Sequence, residues 1–360
     1  MWGVPAEEQK LVAATADRGV SSIVVSDTEL VSAELSECGR FTLVRARPAV
    51  AYIMGGLSGG TEGALASVER LEPGAGAWQP APPLGLARRF CSAAAVGGSI
   101  YVVGGCGAEG QPLASMERLD PVAGRWRPSP PMPGGPRYGC AAAALAGWLY
   151  VLGGGDDDGD LALAERFDPA AGGGEGLWEE LPLLSEPRRG CAAAVLDGLL
   201  YAVGGNGGAP PLRRGWTRSQ RRGVALKSAE VFDPFTLSWE ELPKMSGPRR
   251  GCAAAGSRGA LYVLGGGDGN GTILASCERY APSAKLWDAI CPMSTARYGC
   301  TAACMDGVCC VFGGSTGGRE WTPGSRCVLD VAEWYDIAQA RWRPLPPLLS
   351  PRHSGAAASL

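Results

Sequence analysis

RRGCAAAVLDGLLYAVGG, residues 188–205, holds two short apolar runs joined by Asp197-Gly198 and closed by a Gly-Gly doublet. An Asp-Gly pair between apolar runs is a strong hairpin signal. The first run is built of small residues, and the second carries Tyr201 three positions before the doublet. The same pattern recurs along the chain. Doublets after an apolar run begin at Gly55, Gly104, Gly153, Gly204, Gly265 and Gly313, in steps of 49, 49, 51, 61 and 48 residues. Tyr52, Tyr101, Tyr150, Tyr201 and Tyr262 stand before five of them, and Cys310 stands before the sixth.

Three further markers keep the same period. An acidic residue recurs at Glu69, Glu117, Glu165, Glu230, Glu278 and Glu333, followed by a Trp at Trp78, Trp126, Trp178, Trp239, Trp287 and Trp342. An Arg follows at Arg88, Arg137, Arg188, Arg249, Arg297 and Arg352. Cys91, Cys140, Cys191, Cys252 and Cys300 sit three residues after that Arg, with Gly355 in the sixth copy. Each period holds four strand candidates: the small run, the Tyr run, a run such as SAEVFDP, and a stretch around the Trp that ends in Pro. Four short strands in about 50 residues match one blade of a β-propeller. The 55 Gly and 28 Pro among 360 residues, with 46% apolar residues, agree with many short strands and tight turns.

Gly-Gly, Glu and Trp at this spacing resemble the kelch repeat, from about Ala49 to Leu360. The resemblance implies an all-β, six-bladed propeller with four antiparallel strands per blade. Residues 41–360 are assigned to the propeller and residues 1–40 to an extension outside the repeat. In the extension, PAEEQKLVAATAD suits a short helix and SSIVVSD a strand. Two ring closures are open. Gly355–Leu360, a final copy of the small run, supplies the inner strand of the first blade, which is the preferred reading; alternatively RFTLVRAR, after Arg40, supplies it. Closure from both chain ends leaves no open sheet edge.

Most of the markers have a structural reading. The doublet gives the chain a conformation that side chains obstruct, Tyr and Trp fill the space between blades, and the recurring Cys is a small apolar filler. The recurring Arg and Glu form a repeated link between strands, with direct ligand contact as the other reading. Among the 13 Cys, the nearest approach to a metal set is Cys300, Cys304, Cys309 and Cys310. It lacks regular paired spacing and a neighbouring His, so zinc is not expected. Reduced thiols in the cytoplasm or nucleus are expected.

Charge and composition narrow the function classes. With 33 basic and 36 acidic residues the net charge is −3, so a generic nucleic-acid surface is not expected. MWGVPAEEQK lacks a basic leader followed by an apolar core, and the most apolar stretch, residues 140–155, is too short to span a membrane. His353 is the sole His, which removes the main residue of Ser/His/Asp hydrolysis and of multi-His metal sites.

In an antiparallel blade the second-to-third loop and the loop leading into the next blade share one end, and these are the variable loops here. Function sits preferentially on such loops. Just after the recurring Arg the residue varies: Arg89, Tyr138, Arg189, Arg250, Tyr298 and His353. This ring is the candidate binding surface for a protein or peptide. Arg and Tyr dominate binding hot spots, and guanidinium groups favour an acidic ligand. The other reading is a solvated rim. The long step of 61 comes from an insertion, GGAPPLRRGWTRSQRRGVALKS, with Arg214 and Trp216 as further candidates. It is either a solvated loop or a basic clamp over the opening, for which RNA or a phosphopeptide is a conceivable ligand. The acidic loop of Asp156, Asp157, Asp158 and Asp160 resembles a calcium-binding run but lacks the final spaced Glu. The acidic and basic loops, on neighbouring copies, can also attract each other.

The leading expectation is a non-enzymatic interaction scaffold without a cofactor. The resemblance to kelch proteins implies a ubiquitin-ligase adaptor that selects substrates, or a partner of actin. Residues 1–40 are too few for the separate dimerisation domain of many such adaptors. The alternative is a sugar-acting enzyme, an epimerase or hydrolase on a kelch-like propeller. It needs acidic residues facing the axis.

Overall fold

A computed structural model describes residues 49–59, 63–208, 223–317 and 327–360, together with the backbone of the strands Ser21–Ser26, Glu29–Leu35 and Phe41–Arg45. Six four-stranded antiparallel sheets follow one another as blades I to VI. Blade III is typical: Ala141–Leu145 innermost, then Trp148–Leu152, Ala164–Asp168 and Leu177–Glu180. The inner strands of II, IV, V and VI are Ser92–Val96, Ala192–Leu196, Ala253–Ser257 and Thr301–Met305.

Blade I is built from both ends of the sequence. Ala356–Ser359 pairs with Ala51–Met54, which continues into Val68–Leu71 and Gln79–Ala81. Backbone bonds in both directions between Val50 and Leu360 finish the junction. RFTLVRAR does not supply this strand: Phe41–Arg45 pairs with Glu29–Leu35, which pairs with Ser21–Ser26 in a separate three-stranded sheet. SSIVVSD thus contains a strand, while the helix expected in PAEEQKLVAATAD lies outside the described residues.

The hairpins between first and second strands have both turn residues at positive φ, as at Asp197 and Gly198 (50° and 76°) and Asp306 and Gly307 (47° and 73°). That is the turn whose twist suits a two-residue hairpin. The doublets meet a different constraint. The first Gly of each lies under the carbonyl oxygen of the recurring Arg that begins the next blade, and a Cβ there would come within 2.2–2.7 Å of it. The second Gly donates its N–H to that same oxygen at 2.7–2.9 Å. The doublet is therefore an inter-blade backbone contact.

Six apolar clusters form the core, one between each pair of neighbouring blades. Each recurring Trp adds a latch. Its Nε1–H donates to a carbonyl at the outer end of the preceding blade, at 2.7–3.0 Å: Pro346, Pro82, Pro130, Pro182, Pro243 and Cys291 in turn. Trp78 is buried at 2% exposure, whereas the other five are half-buried.

The recurring Arg and Glu meet in six buried ion pairs: Arg88–Glu117, Arg137–Glu165, Arg188–Glu230, Arg249–Glu278, Arg297–Glu333 and Arg352–Glu69. Each joins the loop entering a blade to the third strand of that blade. The Glu also accepts from loop amides, as Glu117 does from Gly85 and Leu86 at 2.7 and 3.2 Å. These charges are committed to structure.

Candidate functional site

The six variable positions lie on one ring at one end of the molecule. Each forms an antiparallel bridge with the residue that follows a doublet: Arg89 with Cys106, Tyr138 with Gly155, Arg189 with Asn206, Arg250 with Gly267, Tyr298 with Ser315 and His353 with Leu57. Both backbone bonds of every bridge are made, at 2.7–3.0 Å. The bridges bring the two variable loop families of each blade together around a mouth.

Beneath the mouth, the residues one step further on close a ring of backbone hydrogen bonds. Phe90 donates to Ser354, Ser354 to Gly299, Gly299 to Gly251, Gly251 to Gly190, Gly190 to Gly139, and Gly139 to Phe90, all at 2.6–2.8 Å. All six have positive φ, between 54° and 65°. Four are Gly, as that region favours; Phe90 and Ser354 are not. The annulus lies at the end of the axial cavity, which has a volume of about 120 Å³ and is lined by the starts of the six inner strands, such as Cys91, Ser92 and Ala93.

The mouth residues differ in how far they are already engaged. Tyr138 and His353 are buried, at 5% and 8% exposure, and the four others are half-buried. The Arg189 Nη1 donates to the Tyr138 hydroxyl at 2.7 Å, and its Nε is 3.0 Å from Oδ1 of Asp160, itself buried. Arg250 has no carboxylate partner among the described residues, and its Nε is buried without a hydrogen-bond acceptor. The Tyr298 ring lies across Gly251, where a Cβ would meet it at 2.6 Å. His353 Nδ1 is 3.0 Å from the Ser354 hydroxyl, and its Nε2 is buried without a hydrogen-bond partner among the described residues. Burial, reinforced by the nearby Arg89 charge, lowers the His353 pKa to about 4, so the ring is neutral at physiological pH. Arg214 and Trp216 lie outside the described residues.

Phe90 was not among the expected site residues. Its ring packs near Tyr138, with centroids 6.3 Å apart. The signal was present in the sequence: this position reads Phe90, Gly139, Gly190, Gly251, Gly299 and Ser354. Its meaning depended on the annulus, which only the assembled ring reveals.

The acidic loop is shaped in part by its own first carboxylate. Asp156 Oδ1 accepts from the amides of Asp158 and Gly159 at 2.8 and 2.9 Å, while Asp160 faces Arg189. No group of three His, Cys, Asp or Glu among the described residues could hold a metal ion. The inner-strand thiols are buried, and loss of water pushes Cys91, Cys191 and Cys252 up to about 12. Such thiols are packing groups rather than nucleophiles. No described helix is long and apolar enough to cross a membrane.

Comparison with known proteins agrees with this architecture. The KLHDC2/KLHL20/DRC7 Kelch-repeats domain matches residues 41–266, and the Kelch motif matches 248–294 and 296–349. An F-box/kelch-repeat protein of Arabidopsis thaliana is 37% identical over 89 residues, which are 25% of this chain and 20% of that protein. Human Kelch-like protein 33 is 36% identical over 94 residues, 26% of this chain and 15% of its own. The matched stretches thus span a fifth or less of these relatives' lengths. The solved structure of YjhT superposes with a TM-score of 0.63 at 17% identity, covering 77% of this chain and 89% of that one, which is a likeness of fold. With a domain model matching more than half its length and six blades closed into a ring, the chain belongs to the family of kelch-repeat β-propellers, typically protein-interaction modules.

Proposed function

We propose that this propeller captures an acidic segment of a partner protein at the mouth ringed by Arg89, Tyr138, Arg189, Arg250, Tyr298 and His353. The observation that carries the reading is Arg250: a half-buried guanidinium with no carboxylate partner among the described residues and Nη groups that make no hydrogen bond there. Its Nε is too deeply buried for a ligand to reach, so the edge that a carboxylate of the partner would meet is this Nη pair. Arg189 supports the mouth rather than the ligand, since Asp160 and Tyr138 already engage it. Similarity to an F-box/kelch-repeat protein and to kelch-like proteins supports the finer reading that the captured protein is presented to a ubiquitin ligase, through another subunit or through a further part of a longer protein.

Affinity capture from cell extract with the full chain tests this beside Arg250→Ala. The variant is expected to lose at least about tenfold in partner recovery, as for a hot-spot residue, with thermal unfolding within about 2 °C of wild type. Equal recovery by both proteins would remove the acidic-ligand reading. Recovery of actin by both alike would replace it with a cytoskeletal one. Arg189→Ala is a poorer probe, because it also breaks the Arg189–Asp160 ion pair and so disturbs the loop.

A further inference from the structure

Phe90 adopts a φ of 55° in a ring where four of the six equivalent residues are Gly. A side chain in this conformation is strained, because Cβ crowds the backbone. The annulus itself does not need the ring, since Phe90 contributes only its N–H and carbonyl to it. Nor does the core need it. Phe90 is half-buried and belongs to none of the six inter-blade clusters, and its aromatic contact is with one mouth residue, Tyr138.

The equivalent glycines show where a side chain from this position goes. A Cβ on Gly139 would meet Arg189 at 3.0 Å, and one on Gly251 would meet Tyr298 at 2.6 Å. A Cβ on Gly299 would meet the Ser354 hydroxyl at 2.8 Å and His353 Nδ1 at 3.6 Å. The first two point at the mouth residue of the next blade and the third at the Ser354–His353 pair, while a Cβ on Gly190 would meet only the Gly251 backbone, at 3.5 Å. Phe90 therefore stands among the mouth residues, an apolar surface in an otherwise polar and cationic ring. Strain persisting without a structural return marks a functional position.

We infer that Phe90 receives an apolar side chain of the captured peptide, leucine-sized or aromatic, while Arg250 holds its acidic group. This rests on the acidic-ligand reading and adds a second requirement to it. Phe90 is on blade II and Arg250 on blade V, so the two lie across the mouth from each other. A hexagon of residues with sides of about 5 Å is about 10 Å across, the reach of about three extended residues. The ligand then carries its apolar residue about three positions from its acidic one.

The test uses a library of N-acetylated, C-amidated decapeptides with one fixed Glu and each other position scanned, beside the same library with Gln in place of Glu. Wild type is expected to favour Glu over Gln, and to favour Leu, Phe, Tyr or Trp about three residues from the Glu. Phe90→Gly and Phe90→Ala should lose that apolar preference, at least about tenfold in affinity, while still discriminating Glu from Gln. Phe90→Gly should also melt at or about 1–3 °C above wild type, because the strain is released, and Phe90→Ala should not. Glu selection with an unchanged apolar preference in both variants overturns the inference and leaves the acidic reading standing. Equal binding of Glu and Gln peptides, or binding of neither, overturns both. A sharply lower melting temperature for Phe90→Gly with the preference intact would make Phe90 a structural residue.

Discussion

Arg189 and Arg250 hold equivalent positions on adjacent blades, yet one is ion-paired to Asp160 and the other has no carboxylate partner among the described residues. Position sets where each guanidinium starts, and the neighbouring loop decides what it can still bind. His353 shows the same dependence. An unfolded chain takes up its proton near pH 6.5 and the folded chain only near 4, owing to burial and the Arg89 charge. Between these values the unfolded state holds more protons, so stability falls as pH drops from 6.5 through 4 and is fully present above 6.5. The contribution is about 3 kcal/mol for a shift of this size. His353→Gln should therefore show a shallower fall of Tm with acidification over this window, read by thermal scans at several pH values. Parallel curves for variant and wild type would place the imidazole in water.

At the scale of the blade, the Trp latches do less burying than their regular spacing suggests. Trp239 is half-buried, donates to Pro182 O at 3.0 Å, and packs 5.0 Å from the Phe232 centroid. Trp78 is buried at 2% and meets Phe312 edge-on at 5.5 Å. Removal of Trp239 to Ala is expected to cost about 2–3 kcal/mol, short of the full value for a core aromatic. Trp78→Ala is expected to cost about 3–5 kcal/mol. Urea unfolding of both variants measures the difference, and equal losses would mean that burial does not set the cost. The six Arg–Glu pairs belong to this scale too. Breaking one leaves a charge buried without its partner, which costs about 3–5 kcal/mol, and this explains why they serve structure and not the ligand.

For the whole molecule the decisive contact is the closure at blade I. Ala356–Ser359 covers the edge of Ala51–Met54, and the Arg352–Glu69 pair ties the chain's end to the same blade. Deleting residues 355–360 would expose that edge and leave the ring open. The shortened protein is expected to lose its cooperative thermal transition and to associate, as read by calorimetry and light scattering. A monodisperse protein with an unchanged Tm would show that the ring holds without its last strand.

The sequence by itself determined the number of blades, the strand order within each, the hairpin turns and the pairing of Arg with Glu. These are local patterns stamped at one spacing, and six repetitions make each one legible. It also placed the six mouth positions on one ring, because antiparallel pairing fixes which loops share an end. Only the tertiary structure decided between the two closures, engaged Arg189 while leaving Arg250 without a carboxylate among the described residues, half-exposed five of the recurring Trp rings and set Phe90 in an annulus of mostly glycines. Each of those depends on chain segments far apart in sequence meeting around an axis, and no single repeat carries the information about what stands opposite it.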